Sequence, residues 1–550
     1  MTQEPTIASL LAAAEPDEPR PLAGLIERLA TEGLLKGARE SGRPIGPAGL
    51  ASIAVAAGIT EDSRAVQPGS IFVAVSGAHV DGHDFVARAA DAGASVAIVE
   101  RPLPDVDLPQ VIVDRSVAAL GSAAAWWFGD PSLELGIVGI TGTDGKTTTS
   151  FLAAAALEAA GMSSGLLGTV DTKIGRTREA NPEHMTTPSA PTLQAALRAM
   201  VQGGNDAAVV ETTSHGLASE RVRGIAYDVA ILTNLTHEHL DFHGSWEAYR
   251  DAKLSLFERL AVSARNPRKT NPAPAWPKRA IVNADDPSAG LFIGVAQEAG
   301  AGVVTYGTDA AADVRATRSE EDGRGLRVEF EAPSGAGRLE LRLAGRFNVH
   351  NALAVVALGE AVGLDPAAVR AGLESVEGVP GRMERIEAGQ PFGVVIDYAH
   401  SPASLAAVLD ILAPLAAARG GGLIVVFGSA GERDTEKRPM MGRIAAERAR
   451  LVVVTDEDPR GENRETILDD IARGADAGGG RRGTNLLLIA DRPGAVAAAF
   501  ERARPGDIVL LAGKGHEQSI IGPDGPVAYD ERSAALEALG ALGFGGTAGR

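Results

Sequence analysis

An apolar run, Leu135–Ile140, leads directly into a glycine-rich segment and then into a helical pattern. The helical pattern, Lys146–Ala160, stops at Gly161, a residue type that commonly ends helices. A buried strand, a tight turn and a helix in this order expose backbone N–H groups at the helix start, where the helix dipole also favours an anion. The spacing therefore predicts an α/β domain with a phosphate-binding loop. The loop residues are Gly142, Thr143, Asp144, Gly145, Lys146, Thr147 and Thr148.

The side chains of this loop suit a nucleoside triphosphate. Lys146 can reach terminal phosphate oxygens, and the hydroxyl of Thr147 is a suitable ligand for Mg²⁺. ATP is therefore the predicted ligand of residues 142–148. The match to the eight-residue Walker pattern is incomplete, because Ile140 stands where that pattern has its first glycine. A glycine-rich turn without a ligand is the alternative.

Two strand ends supply further candidate ligands for Mg²⁺. Glu211 follows the apolar run Ala207–Val210, and His239 follows the run Val229–Thr233. Because the carboxyl ends of parallel strands meet at one edge of a sheet, both side chains are expected near the phosphate loop. Magnesium needs only a few protein ligands because water completes its octahedron, and the candidates here are Thr147, Glu211 and His239. A histidine cluster leaves zinc open as an alternative. Its members are His237, His239 and His243.

Length and charge limit the class of protein. A chain of 550 residues exceeds one ordinary hydrophobic core, so two to four domains are expected. The formal charge of -19, from 52 Lys and Arg against 71 Asp and Glu, gives no basic surface for nucleic acid. The count of 0 cysteines excludes disulfides, a thiolate nucleophile and a sulfur-bound zinc site.

The sequence indicates a cytoplasmic protein. The first basic residue is Arg20, so the beginning of the chain lacks the positive region of a signal peptide. The longest aliphatic runs, such as Leu451–Val454 and Ile508–Leu511, have the length of strands, so no membrane span is expected. The oligomeric state stays open.

Changes of pattern along the chain predict the domain boundaries. Before the phosphate loop, short apolar segments alternate with alanine-rich helical segments. A later stretch that is rich in Pro, Lys and Arg, Ala264–Arg279, is expected to be a surface loop. From Gly393 onward strands and helices alternate, which predicts a parallel sheet with crossover helices. We therefore expect a disordered or extended lead (1–20), a first domain (21–133), a central ATP-binding domain (134–378), a Rossmann-like C-terminal domain (379–542) and a tail (543–550).

The chain resembles the Mur ligase family from about residue 63 to residue 518. The resemblance rests on many short motifs in one order, of which the glycine-rich loop is one. The others include Asp62-Ser63-Arg64, Thr186-Thr187-Pro188, Glu211-Thr212-Thr213-Ser214-His215-Gly216, His239-Leu240-Asp241, Asn283-Ala284-Asp285-Asp286, Gly345-Arg346-Phe347-Asn348, Gly381-Arg382, Asp397-Tyr398-Ala399-His400 and Gly513-Lys514-Gly515-His516-Glu517. The resemblance implies a three-domain α/β ligase of peptidoglycan biosynthesis with a central P-loop ATPase-like domain.

The resemblance also implies roles for individual residues. In this family an acyl phosphate forms on the substrate and an amino acid displaces the phosphate, with Mg²⁺ as cofactor and ATP as substrate. The catalytic residues would be Lys146, Glu211, His239 and Lys253, and the metal would be held by Thr147, Glu211, His239 and a carbamylated Lys253. ATP would also be contacted by Asn283, Arg382 and Asp397. UDP-N-acetylmuramoyl-L-alanyl-D-glutamate would be bound by Ser63, Arg64, Thr186, Thr187, Ser214 and Arg223, and the amino acid by Arg433, Asp458, Arg460, Gly513 and Glu517.

The segment Thr455–Arg460 bears on which diamino acid is added. Members that add diaminopimelate resemble Asp-Asn-Pro-Arg here, lysine-adding members typically lack the Arg, and this chain has Glu-Asp-Pro-Arg. The guanidinium of Arg460 suits the distal carboxylate of meso-diaminopimelate, which we favour, whereas the charge of Asp458 suits lysine or ornithine. A salt bridge from Glu457 to Arg460 is a purely structural alternative. A folylpolyglutamate synthetase-like ligase and a P-loop ATPase without ligase activity are the competing functions.

Overall fold

The computed structural model describes residues 5–77, 80–181, 185–236, 240–263, 276–322 and 325–545. These residues divide into two compact units. The first lies within residues 1–320, 327–341 and 347–375, and the second within 321–326, 342–346 and 376–550. Both units are α/β, as the sequence predicts, and the described residues contain no helix that is long and apolar enough to cross a membrane.

The first part of the first unit contains a six-stranded mixed sheet. Its strand order is β3-β2-β8-β7-β6-β5, in which β5 to β8 are parallel and β2 is antiparallel to both neighbours. The elements are α1 (Ile7–Ala13), β1 (Arg20–Pro21), α2 (Ala23–Thr31), β2 (Leu35–Glu40), β3 (Arg43–Ile45), β4 (Ala54–Val55), β5 (Ile59–Thr60), β6 (Ile71–Val73), α3 (Val86–Asp91), β7 (Val96–Val99), β8 (Gln110–Val113) and α4 (Ser116–Trp127).

The lead before residue 21 is partly helical, which differs from the extended or disordered lead that we expected. Thr6 caps α1, since its hydroxyl accepts from the backbone of Ser9 while the Ser9 hydroxyl accepts from the backbone of Thr6. The helix packs against α6 (Ala190–Gln202), and the indole N–H of Trp127 donates to Glu15 over 2.6 Å. Capping and burial of the apolar face therefore order a segment whose composition alone suggests a tail.

The second part of the first unit is built on an eleven-stranded sheet. Its order is β12-β11-β10-β13-β9-β14-β15-β16-β17-β18-β19, and β10, β13, β9, β14, β15, β16 and β17 are parallel to their neighbours in that run. The elements are β9 (Gly136–Thr141), α5 (Lys146–Ala159), β10 (Ser164–Leu167), β11 (Asp171–Ile174), β12 (Thr177–Ala180), α6, β13 (Ala207–Glu211), α7 (Ser214–Ala218), β14 (Val229–Leu232), α8 (Leu240–His243), α9 (Trp246–Ser263), β15 (Arg279–Asn283), α10 (Ala289–Glu298), β16 (Gly302–Gly307), β17 (Val314–Asp322), β18 (Gly325–Ala332), β19 (Gly335–Leu341), α11 (Asn348–Val362) and α12 (Pro366–Ser375).

A large apolar core extends through the first unit. It joins side chains of α2 and α4 to side chains of α6 and of the central strands, including Leu25, Trp127, Leu193 and Val210. Most of the predicted surface loop at 264–279 lies outside the described residues, and its last part begins with the buried Trp276 and ends in β15.

The second unit contains the alternating strands and helices that the sequence predicts after Gly393. Its sheet has the order β20-β21-β25-β22-β23-β24, in which every pair except β20 with β21 is parallel. The elements are β20 (Glu384–Ile386), β21 (Gly393–Asp397), α13 (Pro402–Ala418), β22 (Leu423–Phe427), α14 (Lys437–Arg448), β23 (Leu451–Val454), α15 (Arg464–Ala477), β24 (Leu486–Leu488), α16 (Arg492–Glu501), β25 (Ile508–Ala512), β26 (Ser519–Gly522), β27 (Gly525–Ala528) and α17 (Glu531–Ala541). The three-domain boundaries themselves stay a prediction.

Candidate active site

The predicted phosphate loop connects β9 to α5, as the sequence indicates. Gly142 and Gly145 both have positive φ angles, of 148° and 83°. A Cβ atom at Gly142 would overlap the hydroxyl of Thr233, and one at Gly145 would overlap the side-chain amide of Asn351. Both positions therefore require glycine, because of the backbone conformation and because of the close neighbours.

The charged end of Lys146 lies over this loop. Its ammonium donates to the carbonyl oxygens of Gly142, over 2.9 Å, and Thr143, over 2.8 Å. The loop is also attached to the segment after β14, where the Asn234 side chain accepts from the Asp144 backbone N–H over 3.0 Å. Backbone N–H groups and a lysine ammonium thus surround one turn at the start of α5, which suits a phosphate chain.

Glu211 is fully buried at the end of β13, next to the phosphate loop. Its carboxylate accepts hydrogen bonds from the hydroxyls of Thr147 (3.1 Å), Ser150 (3.2 Å) and Thr169 (2.8 Å), and from the Thr169 backbone N–H. No Lys, Arg or His of the described residues forms an ion pair with it. A buried carboxylate without a cationic partner, surrounded by hydroxyl oxygens, fits a hard divalent cation such as Mg²⁺.

The histidine part of the predicted metal site lies outside the described residues. This applies to His239 and also to His237, which the zinc alternative requires. Among the residues that the structure describes, no group of three or more His, Asp or Glu side chains could hold a metal ion. The predicted metal residues that the structure describes are therefore Thr147, Glu211 and Lys253.

Helix α9 brings Lys253 to the phosphate loop. The Lys253 side chain is buried, its ammonium donates to the carbonyl oxygen of Gly142 over 2.6 Å, and it lies 4.6 Å from the ring centroid of Tyr249. The Tyr249 hydroxyl in turn lies 2.8 Å from the hydroxyl of Thr143. Asn283, at the end of β15, donates to the Thr233 carbonyl oxygen over 2.7 Å. All of these groups therefore lie at the sheet edge that carries the loop.

Five of the six predicted muramoyl-peptide residues divide into two groups. The Thr186 hydroxyl lies 3.0 Å from the hydroxyl of Thr169, the Thr187 hydroxyl donates to the Glu211 carbonyl oxygen over 2.9 Å, and Ser214 begins α7. These three lie next to Glu211.

Ser63 and Arg64 lie on the loop after β5. The exposed Arg64 binds Asp62 through two guanidinium nitrogens, and this hydrogen bonding lowers the pKa of Asp62 to about 2. The guanidinium is therefore paired within its own exposed loop.

The remaining two predicted nucleotide residues belong to the second unit. Asp397 ends β21 and accepts from the backbone N–H groups of Met383 and Ala399, each over 2.8 Å. The Arg382 guanidinium lies 4.6 Å from the ring centroid of Tyr398. Burial raises the pKa of Tyr398 far above its ordinary range, and the nearby Glu517 carboxylate acts in the same direction.

Four of the predicted amino-acid residues, Asp458, Arg460, Gly513 and Glu517, lie near the end of β25 or contact the segment after it. Gly513 follows that strand, and the buried Lys514 ammonium lies between the carboxylates of Asp458 (2.8 Å) and Glu517 (2.6 Å). Arg460 has a positive φ of 54°, and its Nε is buried without a hydrogen-bond partner among the described residues. The alternative of a Glu457–Arg460 salt bridge is not found between these two described side chains. Arg433 is exposed.

Three family models match the chain, and together they span more than half of it. They are described as the Mur ligase family catalytic domain (residues 55–125), the Mur ligase middle domain (140–359) and the Mur ligase glutamate ligase domain (381–515). The chain belongs to the Mur ligase family.

Relatives of known name agree with this membership. The chain is 49% identical over 496 residues, 89% of its length and 96% of the relative's, to a UDP-N-acetylmuramyl-tripeptide synthetase of Roseiflexus sp. (strain RS-1). It is 42% identical, over 84% of its length and 89% of the relative's, to a UDP-N-acetylmuramoyl-L-alanyl-D-glutamate--2,6-diaminopimelate ligase of Bacillus velezensis. A solved structure of a ligase with the latter name matches with a TM-score of 0.59 and 31% identity, over 88% of this chain and 95% of the other.

In this Mur ligase, one predicted substrate residue faces a different neighbourhood from the others. The Arg223 guanidinium binds the Glu32 carboxylate at the end of α2 and the Ser122 hydroxyl of α4. It is Arg221 that contacts the site, by donating to the Thr187 carbonyl oxygen over 3.0 Å. This geometry favours Arg221 over Arg223 as the arginine beside Thr187, and a role of either side chain in substrate binding stays a prediction.

Arg221 also connects the site to the first sheet of the Mur ligase. Burial raises the pKa of Glu61, and the positive charge of Arg221 opposes that rise, so the two side chains are electrostatic neighbours. Glu61 directly precedes the Asp62-Ser63-Arg64 loop. Sequence reasoning missed Arg221 because Arg221 and Arg223 lie two residues apart, and the turn Arg221–Gly224 determines which one faces Thr187.

Proposed function

We propose that this Mur ligase uses ATP to join a diamino acid to UDP-N-acetylmuramoyl-L-alanyl-D-glutamate, a step of peptidoglycan biosynthesis. The observation that carries the proposal is the hydrogen bond between Thr147 and Glu211, which links the phosphate loop to a buried carboxylate. The names and the long coverage of the two relatives support the choice of substrate. A folylpolyglutamate synthetase-like ligase is the weaker alternative. ATP and a UDP-linked substrate favour the cytoplasm as the compartment.

The reaction must activate a carboxylate, which is a poor electrophile. The D-Glu carboxylate of the substrate attacks the γ-phosphorus of ATP, ADP leaves, and an acyl phosphate forms. The amine of the diamino acid then attacks the acyl carbon, and inorganic phosphate leaves from a tetrahedral intermediate. The protein contributes positioning and charge neutralisation and needs no covalent bond to the substrate.

The loop residues act on the phosphates of ATP. Backbone N–H groups at the start of α5 hold phosphate oxygens, and Lys146 offsets negative charge on the transferred phosphoryl group. Thr147 and Glu211, with His239 and a carbamylated Lys253, would hold Mg²⁺. Bound Mg²⁺ would supply Lewis-acid neutralisation of phosphate charge. Thr186, Thr187 and Arg221 would orient the muramoyl peptide beside Glu211.

Among diamino acids, we favour meso-diaminopimelate over lysine and ornithine. The guanidinium of Arg460 has a buried Nε that no described residue binds, and a distal carboxylate would supply the missing acceptor. Lysine and ornithine have only an ammonium at the far end, so they would leave the Arg460 Nε without an acceptor. The two nearby carboxylates, Asp458 and Glu517, already bind Lys514.

The test is amino-acid-dependent release of phosphate from ATP. The chain is incubated with UDP-N-acetylmuramoyl-L-alanyl-D-glutamate, ATP and Mg²⁺, and with diaminopimelate, lysine or ornithine in turn. Phosphate release with one of these, together with a tripeptide product of the expected mass, supports the proposal. Release that requires a folate substrate in place of the muramoyl dipeptide contradicts it, and release without any amino acid indicates an ATPase.

A further inference from the structure

Asp458 makes contacts within the protein that a ligand-binding carboxylate would not need. Its Oδ1 atom accepts from the Lys514 ammonium over 2.8 Å and from the backbone N–H of Ile521 over 2.9 Å. The Asp458 residue is 6% exposed, and the Lys514 side chain is fully buried. The negative charge of Asp458 therefore has an internal cationic partner at hydrogen-bond distance.

The second contact connects Asp458 to Arg460 through the β26–β27 hairpin. Ile521, in β26, donates its N–H to Asp458 and accepts from the backbone N–H of Arg460 over 2.8 Å. The two hydrogen bonds lie on either side of Pro459, so one residue of the hairpin holds both ends of the turn. Arg460 has a φ of 54°, a left-handed conformation that non-glycine residues adopt only when surrounding contacts hold them.

The Lys514 ammonium completes the arrangement. It lies 2.6 Å from Glu517, whose carboxylate also lies 3.3 Å from the Tyr398 hydroxyl. One buried cation thus joins the turn 458–460 to the segment after β25. Since Asp458 directs Oδ1 at both donors, an asparagine with a carbonyl oxygen in the same place could accept the same two hydrogen bonds.

We propose that Asp458 is a positioning residue, which holds Arg460 in place through Ile521 and Lys514, and that its charge does not select the diamino acid. The inference deepens the proposed function and rests on it. Its consequence is that replacing Asp458 by Asn leaves the preference among diamino acids unchanged. Replacing Asp458 by Ala removes the side-chain oxygen that accepts both hydrogen bonds. Arg460 is then displaced, so this variant should bind the diamino acid as weakly as a variant of Arg460 does.

The experiment compares the full-length variants Asp458→Asn, Asp458→Ala and Arg460→Lys, the double variant Asp458→Ala/Arg460→Lys, and the control Asp524→Asn at the exposed hairpin tip. The kcat and KM for diaminopimelate, lysine and ornithine are measured at saturating ATP and muramoyl dipeptide.

We expect Asp458→Asn and the control to keep KM within about twofold and the order of preference unchanged. We expect Asp458→Ala to raise KM for the preferred amino acid about tenfold with little change in kcat, and the double variant to resemble Arg460→Lys. A reversed or levelled preference in Asp458→Asn overturns the proposal, as does an unchanged KM in Asp458→Ala.

A second measurement does not depend on activity. Amide hydrogen exchange of peptides that contain residue 521 should accelerate in Asp458→Ala and stay as in the wild type in Asp458→Asn. If no diamino acid supports phosphate release by the wild type, the proposed function fails, and the exchange data still decide the positioning role of Asp458. Equal exchange in Asp458→Ala and the wild type overturns that role.

Discussion

The Thr147 hydroxyl donates to the Glu211 carboxylate over 3.1 Å, and this bond joins the phosphate loop to the end of β13. Replacing Glu211 by Gln keeps the size and an acceptor but removes the charge that a divalent cation needs. We expect kcat to fall by about 100-fold and the Mg²⁺ concentration for half-maximal rate to rise. The measurement is a Mg²⁺ titration of phosphate release, with Glu158→Gln near the end of α5 as control. Unchanged Mg²⁺ dependence in Glu211→Gln contradicts the assignment.

Gly145 and Gly161 provide a matched pair, because their φ angles are 83° and 85°. An alanine at either position costs about 1 kcal/mol of backbone strain. Only at Gly145 would the new Cβ overlap Asn351, whereas no atom lies within 4 Å of a Cβ at Gly161. We expect Gly161→Ala to keep the KM for ATP and Gly145→Ala to raise it at least about tenfold. Equal ATP affinity in both variants, measured by calorimetry, would show that the loop tolerates a Cβ.

Arg221 and Arg223 should have different effects although they are two residues apart. Arg221→Ala removes the hydrogen bond to Thr187 and should raise the KM for the muramoyl dipeptide about tenfold or more. Arg223→Ala removes the contacts with Glu32 and Ser122 and should lower the melting temperature with a smaller effect on that KM. Steady-state kinetics and thermal unfolding of both variants test the preference for Arg221, and the reverse pattern would favour Arg223.

Glu220 makes stability depend on pH. Burial alone would raise its pKa, but the guanidinium groups of Arg259, Arg223 and Arg115 outweigh burial and lower the pKa from 4.5. The stabilisation is therefore present above the ordinary pKa of Glu and is lost as the pH falls towards the lowered pKa. Glu220→Gln should reduce the free energy of unfolding by about 1 to 2 kcal/mol at pH 7, after allowance for solvent screening.

The pH dependence distinguishes this ion-pair effect from a packing effect. The difference between wild type and Glu220→Gln should shrink as the pH falls below 4.5, because the carboxyl binds a proton first in the unfolded chain and only at lower pH in the folded protein. Denaturant unfolding at several pH values measures it, with the exposed Glu298→Gln as control. A difference that stays constant from pH 7 to acid pH would assign the loss to packing.

Lys253 is expected to carry a carbamate in the active protein. Protein prepared with ¹³C-labelled bicarbonate should show a carbamate carbonyl resonance that disappears in Lys253→Gln, together with activity. Lys278→Gln is the control, since Lys278 is bound to Asp228 over 2.7 Å away from the loop. A resonance that persists in Lys253→Gln would place the modification elsewhere.

The second unit was the most predictable part of the fold. Its parallel strands are buried on both faces, so each appears in the sequence as a continuous apolar run, as β22 does. The alternation of strands and helices after Gly393 could therefore be predicted. Strands β17 to β19 were not predicted, because Val314–Asp322 mixes charged residues with apolar ones and carries no continuous run. Helix α1 was missed because its order comes from packing against α6.

The candidate site was predictable where its functional residues lie within one short segment of the sequence. The phosphate loop and its glycines follow from local spacing, since a turn between a strand and a helix determines their conformation. The Lys514–Asp458 ion pair joins residues 56 positions apart, and no local pattern predicts it. No local pattern predicts which of Arg221 and Arg223 contacts Thr187 either, because this depends on the conformation of the turn Arg221–Gly224.

The contact between Glu15 and Trp127 provides an optical reporter that the chain already contains. A carboxylate at hydrogen-bond distance from an indole changes the polarity around the ring, and only 4 tryptophans are present in the whole chain. Because Trp127 is almost completely buried, its emission maximum should shift to longer wavelength when the leading segment detaches and water reaches the indole. Intrinsic fluorescence can therefore report whether the segment before residue 21 is packed against Trp127 during folding or substrate binding, without an attached dye.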